Sequence, residues 1–106
     1  MTHVLIFRPE VEDEAIEAYA WYEARSAGLG EAFLRELYEY AREIAEDPLR
    51  YRKIRSDFRR RVFTRFPYAI YFRVEGNTVI ILAVVHCARN PNAIARMLHD
   101  RNTPEA

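Results

Sequence analysis

The chain has 106 residues, half of them hydrophobic, with 16 basic side chains, 16 acidic ones and a single cysteine. That length supports one domain with one core and excludes a second, and the hydrophobic share argues for a globular fold against disorder. No apolar run reaches the roughly 18 residues of a membrane span, and no charged segment leads into an apolar stretch at the N-terminus, so no membrane partner and a cytoplasmic location are expected.

The zero formal charge conceals a division along the chain. Residues 1–49 carry 12 acids against 4 arginines, and residues 50–106 carry 12 basic side chains against 4 acids. Nine of the basic groups lie between Arg50 and Arg73, where Asp57 is the single acid. Such a patch meets phosphates or an acidic protein surface; alternatively, acidic helices pack beside it and the charges screen one another.

His3 to Arg8 reads as a short strand, and Pro9 suits the first turn of a helix, where its missing N–H would be unpaired anyway. Glu10, Glu12, Asp13 and Glu14 sit at that helix start, favoured by its dipole. Val11, Ala15, Ala18, Tyr19 and Tyr22 recur at helical spacing and form a core stripe flanked by Trp21. Gly28 and Gly30 break the pattern. Phe33, Leu37, Tyr40, Ala41 and Ile44 then repeat it until Asp47 and Pro48. The two helices should form an antiparallel hairpin whose apolar seam needs a sheet to cover it.

Leu49 to Asp57 is basic and poorly periodic, a connection with a short strand around Tyr51 to Ile54. Phe58 to Phe66 is expected to be a strand, with Pro67 at its end. Tyr68 to Glu75 and Thr78 to His86 are rich in β-branched and aromatic residues and are separated only by Gly76 and Asn77, a pair suited to a primed hairpin turn. Pairing Glu75 with Thr78 places Ile70, Phe72 and Val74 on one face with Val79, Ile81, Ala83 and Val85. The other face holds Tyr71 and Arg73 with Ile80, Leu82, Val84 and His86, too apolar to be freely solvated. Either a local helix or a partner chain covers it.

Asn90 and Pro91 end the last strand, and Asn92 to Arg101 reads as a C-terminal helix with Asn92 as its cap; the last few residues are expected to be loose. Cys87, at the end of a predicted buried strand, is expected to act as a small hydrophobe. His3, His86 and His99 share no ligand spacing with it or with one another, so neither a metal nor a cofactor is expected. The expected fold class is α+β: an N-terminal strand, a helix hairpin, a three-stranded antiparallel meander packed on the helices, and a short C-terminal helix, all in one domain over residues 1–106.

This order, with RRRVFTRFPYAIYFRVEGNTVIILAVVHCARNP from Arg59 to Pro91, resembles the ParE/RelE superfamily of bacterial toxins from type II toxin–antitoxin modules. The first helix, with Ala18, Tyr19, Trp21 and Tyr22, resembles that of plasmid-stabilisation toxins of the ParE branch. The ParE resemblance implies a toxin that inhibits DNA gyrase by binding, with Arg59, Arg60, Arg61, Arg65 and Arg89 as target-binding candidates. A RelE resemblance implies instead a ribosome-dependent mRNA endoribonuclease, in which Arg61, Arg65, His86 and Arg89 would be catalytic. The segment after Asn90 lacks the tyrosine that RelE-like proteins usually carry, which favours the ParE branch. A toxin fold that has lost toxicity and only binds is the third reading. The superfamily also implies a cognate antitoxin, a small ParD-like DNA-binding protein whose disordered C-terminal segment folds over the toxin as a hetero-oligomer, with Ile80, Leu82 and Val84 as its expected contacts.

Overall fold

The computed structural model describes residues 2–102. Its elements follow as β1 (Val4–Phe7), α1 (Pro9–Arg25), α2 (Leu29–Glu46), a 3-10 turn (Pro48–Arg50), β2 (Lys53–Arg55), β3 (Phe58–Val62), β4 (Tyr68–Glu75), β5 (Thr78–His86) and α3 (Pro91–Arg101). The expected α+β order holds. The sheet, however, has five strands in the order β1-β5-β4-β3-β2 where a three-stranded meander was expected. The difference arises at both edges: β1 pairs in parallel with β5, and the short β2 pairs back onto β3. Among the described residues no helix is long and apolar enough to cross a membrane.

The helix hairpin covers one face of the sheet. Val11, Ala15, Ala18 and Tyr22 of α1 and Phe33, Leu37, Tyr40 and Ile44 of α2 pack with Ile70, Phe72, Val79, Ile81 and Val84. Both stripes enter the core as their spacing predicts, except Tyr19, which is only partly buried. Trp21, beside the stripe, is half exposed and has the Arg25 guanidinium 3.2 Å above its ring, a contact suited to the negative face of an indole. The hairpin's tight start has a steric origin: a Cβ on Gly30 would lie 2.7 Å from the Tyr19 carbonyl oxygen. Glu23 closes the same corner, its carboxylate accepting from the amides of Gly28 at 2.8 Å and Gly30 at 2.9 Å, which satisfies donors that a helix start leaves open.

The β4–β5 turn has Gly76 at φ +58°, the positive value that a primed turn requires at its first central residue. Glu75 pairs with Thr78 as expected, and Phe72 with Ile81; Tyr71 then pairs with Ala83, leaving Leu82 as an extra residue on β5. This β-bulge shifts the alternation. Val84 moves into the core beneath the helix hairpin, while Ala83 and Val85 join Phe58, Ala69, Tyr71 and Leu82 in a second cluster under Ile94 and Leu98 of α3. The predicted facing of Ala83, Val85 and Val84 is corrected accordingly. The cover on that second face is a local helix. Leu82 is fully buried, Val84 is 2 % exposed and Ile80 is partly buried, so the expectation that these three present an open antitoxin surface fails.

β1 stops opposite Ile81, where the Arg8 amide bonds the Ile81 carbonyl at 3.0 Å. Past that point two charged side chains take the place of a strand. The Glu14 carboxylate accepts from the Val84 amide at 3.0 Å. Arg101 donates to the Leu82 carbonyl at 3.0 Å and to Glu14 at 2.9 Å. α3 is therefore tied to α1 across the sheet edge. Its N-terminus is capped by Asn90, whose side chain accepts from the amides of Asn92 and Ala93. The expected cap, Asn92, stands inside the helix, because Pro91 already takes the first helical position. The segment expected to be loose, residues 103–106, lies outside the described residues.

Two outcomes follow from this packing. Gly30→Ala should lower the unfolding free energy by about 1–3 kcal/mol in urea denaturation, because the backbone oxygen it meets cannot swing aside; a loss near zero would mean that the helices part easily. The second concerns Glu14. Burial holds its carboxyl above the ordinary 4.5, and the Val84 amide, Arg101 and Arg89 oppose that shift without cancelling it. Folding thus favours the protonated form, so this group's contribution is complete below about 4.5 and is lost as pH rises through the folded value. Carboxyl-carbon NMR titration should place its midpoint above 4.5, and Glu14→Gln should remove that step from the stability profile. A midpoint at or below the ordinary value would contradict the burial argument.

Candidate functional site

β3 splits its arginines by alternation. Arg60 points with Phe58 to the α3 side of the sheet, and Arg59 and Arg61 point to the α2 side. Arg59 donates to the Tyr51 carbonyl. Arg61 stacks 4.0 Å from the Tyr40 ring centroid and stands 3.9 Å from Glu43. Burial works against its charge most, yet Tyr40, Tyr51 and Glu43 together hold it above the ordinary arginine value. Arg50 also reaches Glu43, at 3.9 Å, and Arg73 pairs with Glu75 at 2.7 Å. Part of the basic run is thus screened by acidic neighbours.

Arg65 lies in the β3–β4 loop, its guanidinium 5.6 Å from the Phe66 ring centroid. That loop is pinned to α2 by one carboxylate, since Glu36 accepts from the amides of Thr64 and Arg65 and from the Tyr40 hydroxyl.

Arg60 and Arg89 come together with Arg55 in a cleft of about 220 Å³ between the sheet and α3. Its apolar wall is Ile54, Pro91, Ile94 and Leu98, with Tyr71 and Cys87 completing it, and no carboxylate is among the residues that line it. Cys87 is exposed here, contrary to the expectation of a buried thiol: β5 ends one residue earlier, and the Cys87 amide bonds the Pro67 carbonyl at 2.7 Å in the following turn. Three cations above an aliphatic wall can hold an anionic group by charge-assisted hydrogen bonds beside an apolar one.

A second, smaller cleft of about 170 Å³ opens where β4 begins and β5 ends, lined by Glu14, Glu17, Tyr68, His86 and Arg89 among others. Burial, then Tyr22 and Glu17, raise the Tyr68 hydroxyl above its ordinary value, so it keeps its proton as a donor at neutral pH. The His86 ring meets Tyr68 edge-on at 5.2 Å, and its Nδ1 accepts from the Ala88 amide at 3.0 Å. That bond places the proton of the neutral ring on Nε2. His86 and Arg89 are therefore neighbours, while Arg61 and Arg65 stand apart from them on the α2 side.

Sequence reasoning singled out Arg60, Arg89 and His86, but it missed the cleft wall and the roles of Glu14, Glu36 and Arg101. No local signal marks these, since each acts on backbone groups 19 to 70 residues away.

The comparisons with known proteins agree with this architecture. The fold resembles a chain of the chromosomal ParDE toxin–antitoxin system from P. aeruginosa, with a TM-score of 0.68 and 16% identity over 80% of this chain and 96% of that one. It resembles equally a mutant of the E. coli toxin RelE in the free state, with a TM-score of 0.68 and 14% identity over 97% of this chain and all of that one. No curated protein matches the sequence. Residues 5–91 match the family described as ParE toxin of type II toxin-antitoxin system, parDE. The chain accordingly belongs to the ParE toxin family of type II toxin–antitoxin systems.

Proposed function

We propose that the chain is a toxin that arrests growth by binding DNA gyrase and is neutralised by a cognate ParD-like antitoxin. One observation carries the choice of binding over cleavage: the groups that RNA cleavage would need do not share one cleft. Arg61 is turned to Tyr40 and Glu43 of α2, Arg65 lies in the loop pinned by Glu36, and Arg89 and His86 line a separate cleft beside Glu14 and Glu17 of α1. A general base needs a free acceptor nitrogen within reach of the hydroxyl it activates, and the acceptor of His86 already takes the Ala88 amide. Arg60 and Arg89, with Arg55 in the same cleft, are the target-binding candidates that this geometry supports; Arg59 and Arg61 are engaged by Tyr51, Tyr40 and Glu43.

The antitoxin's surface is reassigned to the open side of the helix hairpin. There Phe7, Val11, Ile16, Tyr19, Leu34 and Tyr38 line an apolar groove of about 400 Å³, in which Ile16 is 58 % and Tyr38 55 % exposed. Edge strand β1 runs beside it, with Val4 and Ile6 half exposed. A folding segment can lay an apolar helix face in such a groove or add a strand to such an edge. The second reading, a ribosome-dependent mRNA endonuclease, draws on His86 and Arg89 sharing one cleft.

Labelled thymidine and methionine incorporation, followed after brief induction without antitoxin, separates the readings. Loss of DNA synthesis first, with inhibition of supercoiling by purified gyrase, is the expected outcome; loss of protein synthesis first would instead favour RNA cleavage, and no arrest would favour a binding module without toxicity. Ile16→Glu and Tyr38→Glu should each weaken antitoxin binding about tenfold or more in calorimetry without unfolding the chain. Unchanged affinity in both variants would remove the groove from the antitoxin interface.

A further inference from the structure

The sheet has two open edges, and the second is chemically unlike the first. β1 carries Val4, Ile6 and Phe7, whereas β2 is Lys53, Ile54 and Arg55, all exposed. One side of the β2 backbone bonds to β3, and among the described residues no strand lies on its other side. The only acid close by in sequence, Asp57, is already paired with Lys53 at 3.3 Å. Directly beside this edge lies the cleft of Arg55, Arg60 and Arg89, and Ile54 belongs to both, reaching its wall while 40 % exposed.

We propose that this edge and its cleft form a docking site for an extended acidic segment of a partner protein, which adds a sixth strand along β2 and seats one apolar side chain between Ile54 and Leu98. Free backbone groups at a sheet edge select an extended peptide, and alternate side chains of the added strand fall to one face, where the cleft receives them. The arginines select the charge of the flanking side chains. A single-stranded nucleic acid would answer the same positive charge and would stack a base on an arginine plane, but its main anchors are exposed aromatic faces. The one ring in the cleft, Tyr71, is 5 % exposed and edge-bound in the core beneath α3, and the rest of the wall is aliphatic. An unpaired strand edge gives a base nothing to stack on. The site lies on the sheet edge opposite the β1 edge and hairpin groove assigned to the antitoxin, and it rests on the reading of Arg55, Arg60 and Arg89 as the target-binding residues.

The test uses the purified chain and a short dye-labelled peptide alternating glutamate and leucine, followed by fluorescence anisotropy at low salt, with amide NMR spectra of the complex. The peptide should bind, and the amide signals of residues 53–55 should shift. Binding should fall about tenfold or more in Arg60→Glu/Arg89→Glu, whose folding is checked by circular dichroism. With the unaltered chain, methylating alternate peptide nitrogens should cause a similar loss, because it blocks strand pairing. Equal binding of the methylated peptide, or shifts confined to the hairpin groove, would overturn the proposal. So would absence of binding at millimolar peptide, or tighter binding of an oligouridine than of the peptide, the latter making the cleft a nucleic-acid surface.

Discussion

Strand β5 outruns β1, and the backbone beyond Ile81 must find partners that are not a strand. A buried amide or carbonyl left unbonded costs more than a bond gains. The Val84 amide needs an acceptor and the Leu82 carbonyl needs a donor, so no single charged side chain can serve both. Glu14 and Arg101 together do so, and their mutual contact at 2.9 Å keeps either from being a lone charge at a half-buried place. The consequence is architectural: α1 and α3, from opposite ends of the chain, are fixed to the same point of β5.

The bulge at Leu82 sits at that same point, and the two features depend on one another. By adding a residue to β5, the bulge turns Val84 toward the helix hairpin and Ala83 and Val85 toward α3. Both faces of β5 are apolar, and each needs a cover. The helix hairpin supplies one. Without α3 the other would expose Leu82, Ala69 and Tyr71 as a contiguous apolar patch, which a lone domain rarely tolerates.

Much of this was legible in the sequence, and the illegible parts have identifiable physical reasons. Period-3.6 stripes gave α1 and α2, cleanly in α2 and less so in α1, where Ile16 and Trp21 stand exposed off the stripe and Pro9 with its acids marks the start; Gly76-Asn77 gave the hairpin, because a primed turn demands positive φ. The bulge was hidden, since Val79 to Val85 is apolar at every position and a one-residue slip leaves no polar residue on the wrong face to betray it. The short strand expected around Tyr51 to Ile54 stands at Lys53–Arg55, since three residues of mixed character are too short for any period to fix its ends. The arginine strand was recognised as a unit, yet alternation divides it. Only Arg60 reaches the cleft with Arg89, while Arg59 and Arg61 are absorbed by Tyr51, Tyr40 and Glu43. A run of like charges on a strand faces two ways, so its members meet different surroundings that the run alone does not reveal.

The family match ends at residue 91, where α3 begins. Two walls of the basic cleft therefore have different standing. Arg60, Tyr71 and Arg89 come from the segment that defines the family, whereas Ile94, Ala95 and Leu98 come from a helix beyond it. Without the helix, the arginines would stand on an open sheet face, where solvent weakens each charged contact and no side chain is enclosed. With it, they border a walled cleft in which an anion and an apolar group can be held at once. The enclosure of the cleft therefore depends on α3 and on the Arg101–Glu14 contact that seats it.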